Sequence, residues 1–470
     1  MSSRTCKKSL RITLVQSLVR TFNSAKNTFY KYFFISLILF SKQAYALDIL
    51  SDTETESVVR KLITPILKVA NITPTTLNIY IILDRNVNAF VIGGNNLFIN
   101  TGLIATFNNP DVLKGVVAHE LGHVTGGHVA MRQAEIQNLM SQSILINLLG
   151  AAAILGGAGE AGSALISGGL HAAQGNYLSF SRFQETAADT TAIKYLHDSH
   201  NTVKGLIQVF EHFEQETRRM REHINPYMQT HPLSNERLTI TRQSLIKEDS
   251  SFKSSEDEKK EYSQIVAKLR GFTFPLNQLS INNQKDLPPP ALLYEESIIL
   301  YRNAKFAQAI TILNDLIKQD PSNGYLYELK GQFLFESGHV QQAIESYKQA
   351  INLLPNKPLL LAEYAVVLVN SSNEAKGSSK NIILEESIVI LNKVLNSRLN
   401  NNPYVYRQLA IAYGKLGKLN YSNLMLAEEA CLLLKFNDAK KFIELAKKYN
   451  HNDEYVKLRI DDILKTLPTN

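Results

Sequence analysis

His119, Glu120 and His123 are the residues whose types and spacing could do chemistry, in the run His-Glu-Leu-Gly-His at positions 119–123. On an α-helix, residues four positions apart lie about 40° apart around the axis and one turn along it, so both imidazoles can bind one cation. Zn²⁺ prefers such nitrogen ligands. Glu120 lies beside the same face, where it can take a proton from water instead of binding the metal. The spacing therefore predicts a zinc site on a helix, with Glu120 as its base.

A chance occurrence of this short pattern on a buried core helix is the alternative interpretation. The zinc interpretation is favoured because the flanking residues are apolar, as such a helix requires, namely Val116, Val117, Ala118 and Val124. The chain has two cysteines, Cys6 and Cys431, and Cys6 falls in a segment that we expect to be removed. Any metal site in the mature chain must therefore use histidine and carboxylate ligands.

His128 is the first candidate for the third protein ligand that a catalytic zinc needs. In the longer pattern H-E-x-x-H-x-x-G-x-x-H, Gly126 matches, but the last histidine would fall at Val129. If the helix continued, nine steps of about 100° would turn His128 roughly opposite to His119. We therefore expect His128 to support the site or to be structural, and not to bind the metal.

Glu185 and Asp189 form the second candidate pair, because four-residue spacing puts them on one face of a predicted helix. Glu185 could bind the metal while Asp189 accepts the outer N–H of a liganding histidine and so fixes its tautomer. On spacing alone, two helix carboxylates are more often solvated charges or partners in salt bridges. Both interpretations stay open at this point.

The elements that must hold these residues follow from hydrophobic spacing. It predicts helices over 51–69, 112–129 and 183–196, a strand over 77–83, and a β-hairpin over 87–99 with its turn at 93–96. The stretch 144–170 is rich in glycine and alanine, which favours a mobile loop or a packed lid over a membrane helix.

The first 46 residues carry eight basic side chains, no acidic ones, an apolar run at 33–40 and the sequence Ala-Tyr-Ala at 44–46. These features predict a secretory signal peptide over 1–46 and no permanent transmembrane anchor. A mitochondrial presequence is the main alternative, and an uncleaved anchor is the third. The remaining chain holds 42 basic and 43 acidic residues, so the charge balance gives no reason to expect a nucleic-acid partner.

The second half of the chain shows an internal repeat. Pro321 and Pro355 lie 34 residues apart, and small and aromatic residues occupy the packing positions of a tetratricopeptide unit between them, namely Gly331, Ala343, Tyr347 and Ala350. Later units match loosely, with an insertion expected at 370–380. An irregular helical domain is the alternative.

We predict a metalloprotease-type domain over 47–250, a linker or boundary segment over 251–290, where the composition shifts to Ser, Glu, Lys and Asn, and helical repeats over 291–470.

Together these motifs resemble a protein family. The run 119–123, the stretch 181–189, Thr230-His231-Pro232 with Arg237, and Asn88-Ala89-Phe90 before Asn100-Thr101-Gly102 are similar to the zinc endopeptidases that include HtpX and the CaaX prenyl proteases. With a signal peptide in front and repeats behind, the arrangement is similar to that of BepA-like periplasmic proteases. The resemblance implies an α+β zincin-type domain, mostly helical with a small sheet, followed by an all-α tetratricopeptide-like solenoid.

The resemblance also implies roles for individual residues. It implies one Zn²⁺ per chain held by His119, His123 and Glu185, with His231 and Arg237 in the active site. For His231, it permits either a donor to the oxyanion of the reaction or a fourth, inhibitory zinc ligand, and a structural role is the remaining alternative.

Substrates and partners are implied in the same way. The expected substrates are unfolded or misassembled proteins, and an edge strand that includes Asn88, Ala89 and Phe90 could pair with an extended substrate. A core hairpin is the alternative for this segment. The repeats would dock the outer-membrane protein assembly machinery of a Gram-negative periplasm. The competing function is a repeat-based chaperone or adaptor with a latent zinc site.

Overall fold

The structure is a computed structural model that describes residues 48–93, 95–132, 134, 181–219, 226–276, 286–397, 402–450 and 452–468. The predicted signal peptide over 1–46 and the predicted loop or lid over 144–170 lie outside the described residues. Within the described ranges, no helix has both the length and the apolar character needed to cross a bilayer.

A small mixed sheet and a set of helices make up the first part of the chain. Strands β1 (Ile49–Leu50), β2 (Asn78–Ile82), β3 (Ala89–Ile92) and β4 (Asn96–Asn100) are arranged in the order β1-β2-β4-β3. Strand β4 pairs in parallel with β2 and antiparallel with β3, with Phe90 opposite Phe98. The predicted hairpin is therefore present, and β3 forms one edge of this sheet.

The described residues of this part include helices α1 (Thr53–Val69), α2 (Thr101–Thr106), α3 (Pro110–Thr125), α4 (Arg182–Asp198), α5 (Lys204–Arg219), α6 (Pro226–Thr230) and α7 (Asn235–Ile246). Local sequence explains where the two predicted site helices begin. The Asn109 side chain accepts from the Asp111 N–H ahead of α3, with Pro110 in the first turn, and Ser181 forms a capping box with Gln184 at α4.

Helix α3 is buried along nearly its whole length, from Pro110 to His123. Two glycines allow this close packing. A Cβ atom at Gly122 would lie 2.7 Å from the Ala188 carbonyl oxygen of α4, and one at Gly115 would lie 2.9 Å from the Leu206 nitrogen of α5. The helix ends earlier than the predicted residue 129, because the chain turns at Gly126 and Gly127, where Gly127 has a φ of +72°.

The segment 251–290 contains helix α8 (Glu256–Thr273), although its composition suggested a linker. Ser255 and Glu258 form a capping box, so the polar run that suggested a linker is the start of a helix. Ion pairs of two buried lysines join α8 to the first part of the chain: Lys114 lies 3.0 Å from Glu258, and Lys268 lies 2.5 Å from Asp52. The domain boundaries at 250 and 290 stay a prediction.

Within its described residues, the second part of the chain contains five successive helix pairs. They are α9 (Pro289–Arg302) with α10 (Phe306–Gln319), α11 (Gly324–Glu336) with α12 (Val340–Leu353), α13 (Pro358–Ser371) with α14 (Ser378–Leu395), α15 (Pro403–Lys415) with α16 (Leu419–Leu432), and α17 (Phe436–Lys448) with α18 (Glu454–Thr466). The prediction of a mostly helical first part with a small sheet, followed by repeats, is confirmed.

Small residues face large ones inside the repeats, as the sequence predicts. A Cβ atom at Gly331 would lie 2.8 Å from the Tyr347 ring. The insertion in the third unit is only partly a loop, since α13 continues to Ser371 and α14 begins at Ser378 with 18 residues. One apolar core runs from α1 through α8 to Phe333, so the two parts of the chain share a core.

Replacement of Gly122 by alanine tests the contact between α3 and α4. Alanine favours a helix by about 1 kcal/mol over glycine, but its Cβ would meet the Ala188 carbonyl oxygen at 2.7 Å. We expect Gly122→Ala to lower the free energy of unfolding by about 1–3 kcal/mol, measured by urea titration.

Gly414→Ala is the matched control, because its Cβ would meet nothing closer than the Ser422 hydroxyl at 3.3 Å. We expect this variant to be neutral or slightly more stable than the parent chain. Equal free energies of unfolding for the two variants would contradict a tight contact at Gly122.

Candidate metal centre

Four buried side chains bring candidate ligand atoms together beside α3. His119 and His123 lie on α3, Glu185 lies in the first turn of α4, and His231 follows α6. One ring nitrogen or carboxylate oxygen of each residue lies within 4.8 Å of the others. Their exposed fractions are 2% or less. The two histidines of α3 thus meet Glu185, which is 62 positions after His123 in the sequence, and His231, which lies still further along the chain.

Ring nitrogens and carboxylate oxygens of this cluster face one another closely. His119 Nε2 lies 3.1 Å from His123 Nε2. The Glu185 carboxylate lies against both rings, with Oε1 3.2 Å from His123 Nε2 and Oε2 3.4 Å from His119 Nε2. Polar atoms at such distances can converge on a single ion.

Asp189 and Arg237 contact the side chains of this cluster: Asp189 binds His119, and Arg237 binds Asp189 and Glu185. His119 Nδ1 lies 2.8 Å from Asp189 Oδ1, which leaves Nε2 of the same ring directed at the other ligand atoms. The Arg237 guanidinium donates to both oxygens of Asp189, at 2.6 and 3.0 Å, and its Nη1 lies 2.6 Å from Glu185 Oε2. Arg237 therefore contacts the two carboxylates of α4, and its contact with the His119 ring is indirect, through Asp189.

His231 lies between the cluster and Glu120. Its Nδ1 is 3.1 Å from Glu185 Oε1 and 3.3 Å from His119 Nε2, and its Nε2 is 3.5 Å from Glu120 Oε1. The ring stacks on Tyr227, with centroids 4.6 Å apart. Tyr227 in turn stacks on Phe213 at 5.0 Å. His231 is thus held on a column of aromatic rings.

His128 lies on the same side as His123, and not on the opposite side that a continuous helix would give. The turn at Gly126 and Gly127 brings His128 Nδ1 to 3.1 Å from His123 Nδ1. His128 is 6% exposed. The expectation that His128 supports the site without binding the metal is compatible with this position, but the geometry behind that expectation was wrong because the helix ends before residue 128.

Burial and ion pairing shift the pKa values of these groups in different directions. Burial alone would lower the pKa of His119, but its hydrogen bonds to Asp189 and Glu185 raise it to about 9 in the metal-free chain. Burial lowers the pKa of His123 to about 3. Burial raises the pKa of Glu120. The carboxyl of Glu185 is ionised despite burial, because the histidines around it lower its pKa far below the usual range.

The donor set fits a divalent metal ion. Imidazole nitrogens with one carboxylate oxygen are ligands that zinc and similar transition metals accept. Glu120 Oε1 is buried and makes no hydrogen bond among the described residues, whereas Glu185 Oε2 forms an ion pair with Arg237 Nη1 at 2.6 Å. Buried oxygens of this kind need a compensating cation, and Arg237 supplies one positive charge against the carboxylates of Glu120, Glu185 and Asp189.

Tyr227, Phe213 and Phe210 also belong to the site, although no motif in the sequence marks them. Phe210 lies under the Arg237 guanidinium, 4.8 Å from ring centroid to Cζ. The only signal in the sequence is the spacing of Phe210 and Phe213 on one helix face, and that spacing is equally typical of a structural core.

Comparison with known proteins identifies the first part of the chain. Residues 50–244 match Peptidase family M48. This region is similar to peptidase family M48. Two curated relatives are named beta-barrel assembly-enhancing protease. The one from Yersinia pestis is 25% identical over 318 residues, which cover 65% of this chain and 63% of the relative. The one from Escherichia coli (strain K12) is 25% identical over 304 residues, which cover 62% and 60%. The match thus spans less than two thirds of either relative.

Solved structures similar to this chain include the MamA RS-1 ArsTM double mutant. It covers 38% of this chain and 95% of its own, with 13% identity and a TM-score of 0.30.

The raised pKa of His119 predicts a pH-dependent stability of the metal-free chain. A proton that stays on His119 up to about pH 9 stabilises the fold fully below pH 6.5, and this contribution is lost as the pH rises through 9. The shift corresponds to about 3 kcal/mol. We expect the stability difference between the parent chain and His119→Gln, measured by urea titration in a chelator, to shrink by roughly this amount between pH 6.5 and 9.5.

The metal-loaded chain is the control for this measurement. A bound metal ion takes the place of the proton, so the difference between the two proteins should no longer fall across this pH range. Parallel pH profiles of the two metal-free proteins would contradict a raised pKa at His119.

Proposed function

We propose that this chain is a zinc-dependent endopeptidase of periplasmic protein quality control. Its substrates are misfolded or stalled outer-membrane proteins, whose assembly it also assists. The single observation that carries the proposal is the meeting of His119, His123 and Glu185 from two helices of an M48 domain, with Glu120 beside them. Three such ligands with a neighbouring carboxylate are typical of catalytic zinc sites.

The residues around the site have distinct tasks in this proposal. His119, His123 and Glu185 would hold the zinc, which would supply a Lewis acid for the scissile carbonyl and for water. Glu120 takes the proton of the attacking water and passes it to the leaving amine. Burial raises the pKa of Glu120, and a raised pKa makes this carboxylate a better proton acceptor.

Arg237 and Asp189 act as positioning residues in this mechanism. Asp189 accepts from His119 Nδ1, so that Nε2 stays unprotonated toward the metal. Arg237 binds both Asp189 and Glu185 and fixes the distance between α4 and the segment that carries His231. Its guanidinium is engaged by these carboxylates, which favours a structural task over contact with substrate.

His231 is best explained as a fourth ligand that keeps the site latent. Its Nδ1 lies among the ligand atoms, 3.1 Å from Glu185 Oε1. A donor to the oxyanion of the reaction would need to point instead at the position of the substrate. The stacking on Tyr227 fixes the ring in this orientation. Movement of the α6 segment would then open the site.

Strand β3 is the proposed binding site for an extended substrate. It lies at an edge of the sheet and packs against α3, which carries His119 and His123. The Asn100 N–H donates to the Asn88 carbonyl, so the alternation of an antiparallel pair directs the backbone groups of Ala89 and Val91 away from β4. A substrate strand paired there would bind through its main chain and with modest sequence preference.

The repeats and the N-terminal segment suggest where the chain acts. Stacked helix pairs offer an extended surface for proteins, here proposed to be the outer-membrane protein assembly machinery, as the names of the relatives suggest. The predicted signal peptide supports the periplasm of a Gram-negative bacterium, with mitochondria as the alternative. Sequencing of the mature N-terminus should find Leu47 first if a signal peptidase cleaves after Ala46.

A repeat-based chaperone or adaptor with a latent zinc site is the second candidate function. The position of His231 Nδ1 among the ligand atoms favours it, because a fourth ligand would leave no open position at the metal. One molecule can have both functions if the site opens only when a client is bound.

Digestion of casein by the zinc-loaded chain and by Glu120→Gln separates the two functions. We expect the variant to bind zinc as the parent chain does but to cleave about 100- to 10,000-fold more slowly, because the proton acceptor is lost. The rate is measured from released peptides. Absence of cleavage by both proteins, with zinc shown to be bound, would contradict the protease.

Replacement of His231 by alanine tests the latent state. We expect His231→Ala to bind a small metal-directed ligand such as acetohydroxamate more tightly than the parent chain, because one position at the zinc is freed. Binding is measured by calorimetry on the zinc-loaded proteins. A fall in turnover without tighter binding of the hydroxamate would exclude the fourth-ligand role and support the oxyanion donor.

A further inference from the structure

His128 reaches the metal centre only because α3 stops at Thr125. The Gly126 N–H donates to the Gly122 carbonyl and the Gly127 N–H to the Val124 carbonyl, which closes the helix. Gly127 then takes a φ of +72°, a conformation that residues with a Cβ atom rarely adopt. A new helical turn begins there, since the Met131 N–H donates to the Gly127 carbonyl.

The His128 ring packs directly on this turn. A Cβ atom at Gly126 would lie 2.9 Å from His128 Nε2 and 3.0 Å from its Cε1, so the ring needs a glycine beneath it. Its Nδ1 lies 3.1 Å from His123 Nδ1, and the two rings meet edge to face with centroids 5.1 Å apart. The sequence of two glycines followed by a histidine therefore builds one specific contact to His123.

The direction of the hydrogen bond between the two rings follows from the proposed metal site, on which this inference rests. His123 Nε2 faces the ligand atoms of His119 and Glu185, at 3.1 and 3.2 Å. A nitrogen that binds metal carries no proton, so the proton of the His123 ring must lie on Nδ1. His128 Nδ1 must then accept that proton's hydrogen bond, and the proton of a neutral His128 ring lies on Nε2.

We propose that His128 is the positioning residue of His123, accepting a hydrogen bond from His123 Nδ1 and so fixing the tautomer and orientation of this metal ligand. The two histidines of α3 are then supported by different chemistry. Asp189, a carboxylate bound by Arg237, supports His119. A second imidazole supports His123, so this ligand is fixed without a further buried negative charge.

Zinc affinity in a Glu120→Gln background tests the proposal, because this background prevents self-cleavage. The dissociation constant of zinc is measured by competition with a chelator at one pH. We expect His128→Ala to weaken zinc binding by about 10- to 100-fold, the usual loss when a partner of a liganding histidine is removed. His128→Asn should recover most of the affinity, since its side-chain oxygen can accept where the imidazole Nδ1 did.

His339→Ala is the matched control, as His339 is an exposed histidine of the repeats. We expect it to bind zinc with unchanged affinity. The thermal midpoint of each metal-free protein is measured alongside, and if His128→Ala fails to fold, His128→Asn and His128→Leu are compared instead. Leucine fills the space but cannot accept a hydrogen bond, so it should bind zinc as weakly as expected for alanine.

Three results would overturn the positioning role. Equal zinc affinity of His128→Ala and the background protein would show that the contact does not matter. Low affinity of His128→Asn together with recovered affinity of His128→Leu would show that packing matters and the hydrogen bond does not. Absence of zinc binding in the background protein itself would overturn the proposed function together with this role, which separates the two failures.

Discussion

The ion pair of Arg237 with Asp189 and Glu185 is the interaction on which the metal centre depends. Two carboxylates of one helix are fully buried, and without a partner each would be protonated or would destabilise the fold. The guanidinium binds both, and its fork geometry suits two acceptors at once. It thereby lowers the pKa of Asp189, which stays ionised to hold His119, while the histidines around Glu185 keep that carboxyl ionised. Removal of one partner of such a buried pair typically costs about 3–5 kcal/mol.

Packing of glycines against the backbone complements this electrostatic arrangement. Gly122 lies between the two candidate histidine ligands in sequence and allows α4 to approach α3 at the level of Ala188. The close approach brings Glu185, three residues before Ala188, beside the histidine pair. The short motif at 119–123 therefore specifies both a chemical pattern and a helix contact.

Much of the site could be predicted from the sequence because its residues are spaced by one helical turn. His119 and His123 are one helical turn apart, and Glu185 and Asp189 repeat the same spacing on α4, so their shared faces follow from helix geometry. The direction of His128 could not be predicted by extending the helix, since a single positive φ at Gly127 redirects the chain. Periodicity describes residues inside an element and says little about its ends.

Residues from distant segments were harder to predict. His231 and Arg237 entered through a resemblance alone, because their contacts with Glu185 and Asp189 join positions 46 and 48 residues apart. For Tyr227 and Phe213, the sequence indicated only that aromatic side chains are buried, and it did not indicate a contact with His231. The polar composition that suggested a linker over 251–290 belongs to the solvent side and the capped start of α8, while its other face is buried. Composition averages over both faces of a helix, whereas spacing separates them.

The buried contact of Lys268 with Asp52 and Glu54 has a consequence for the chain as a whole. The ammonium comes from α8, the carboxylates come from the beginning of α1, and Tyr294 of the first repeat donates to the same Glu54. Three regions that are far apart in sequence thus meet in one network of ion pairs and hydrogen bonds. A chain that ended near residue 250 would lack Lys268, so Asp52 and Glu54 would lose the positive charge that compensates them. We therefore expect the first part of the chain and the repeats to unfold together, because they share this ion pair and one apolar core.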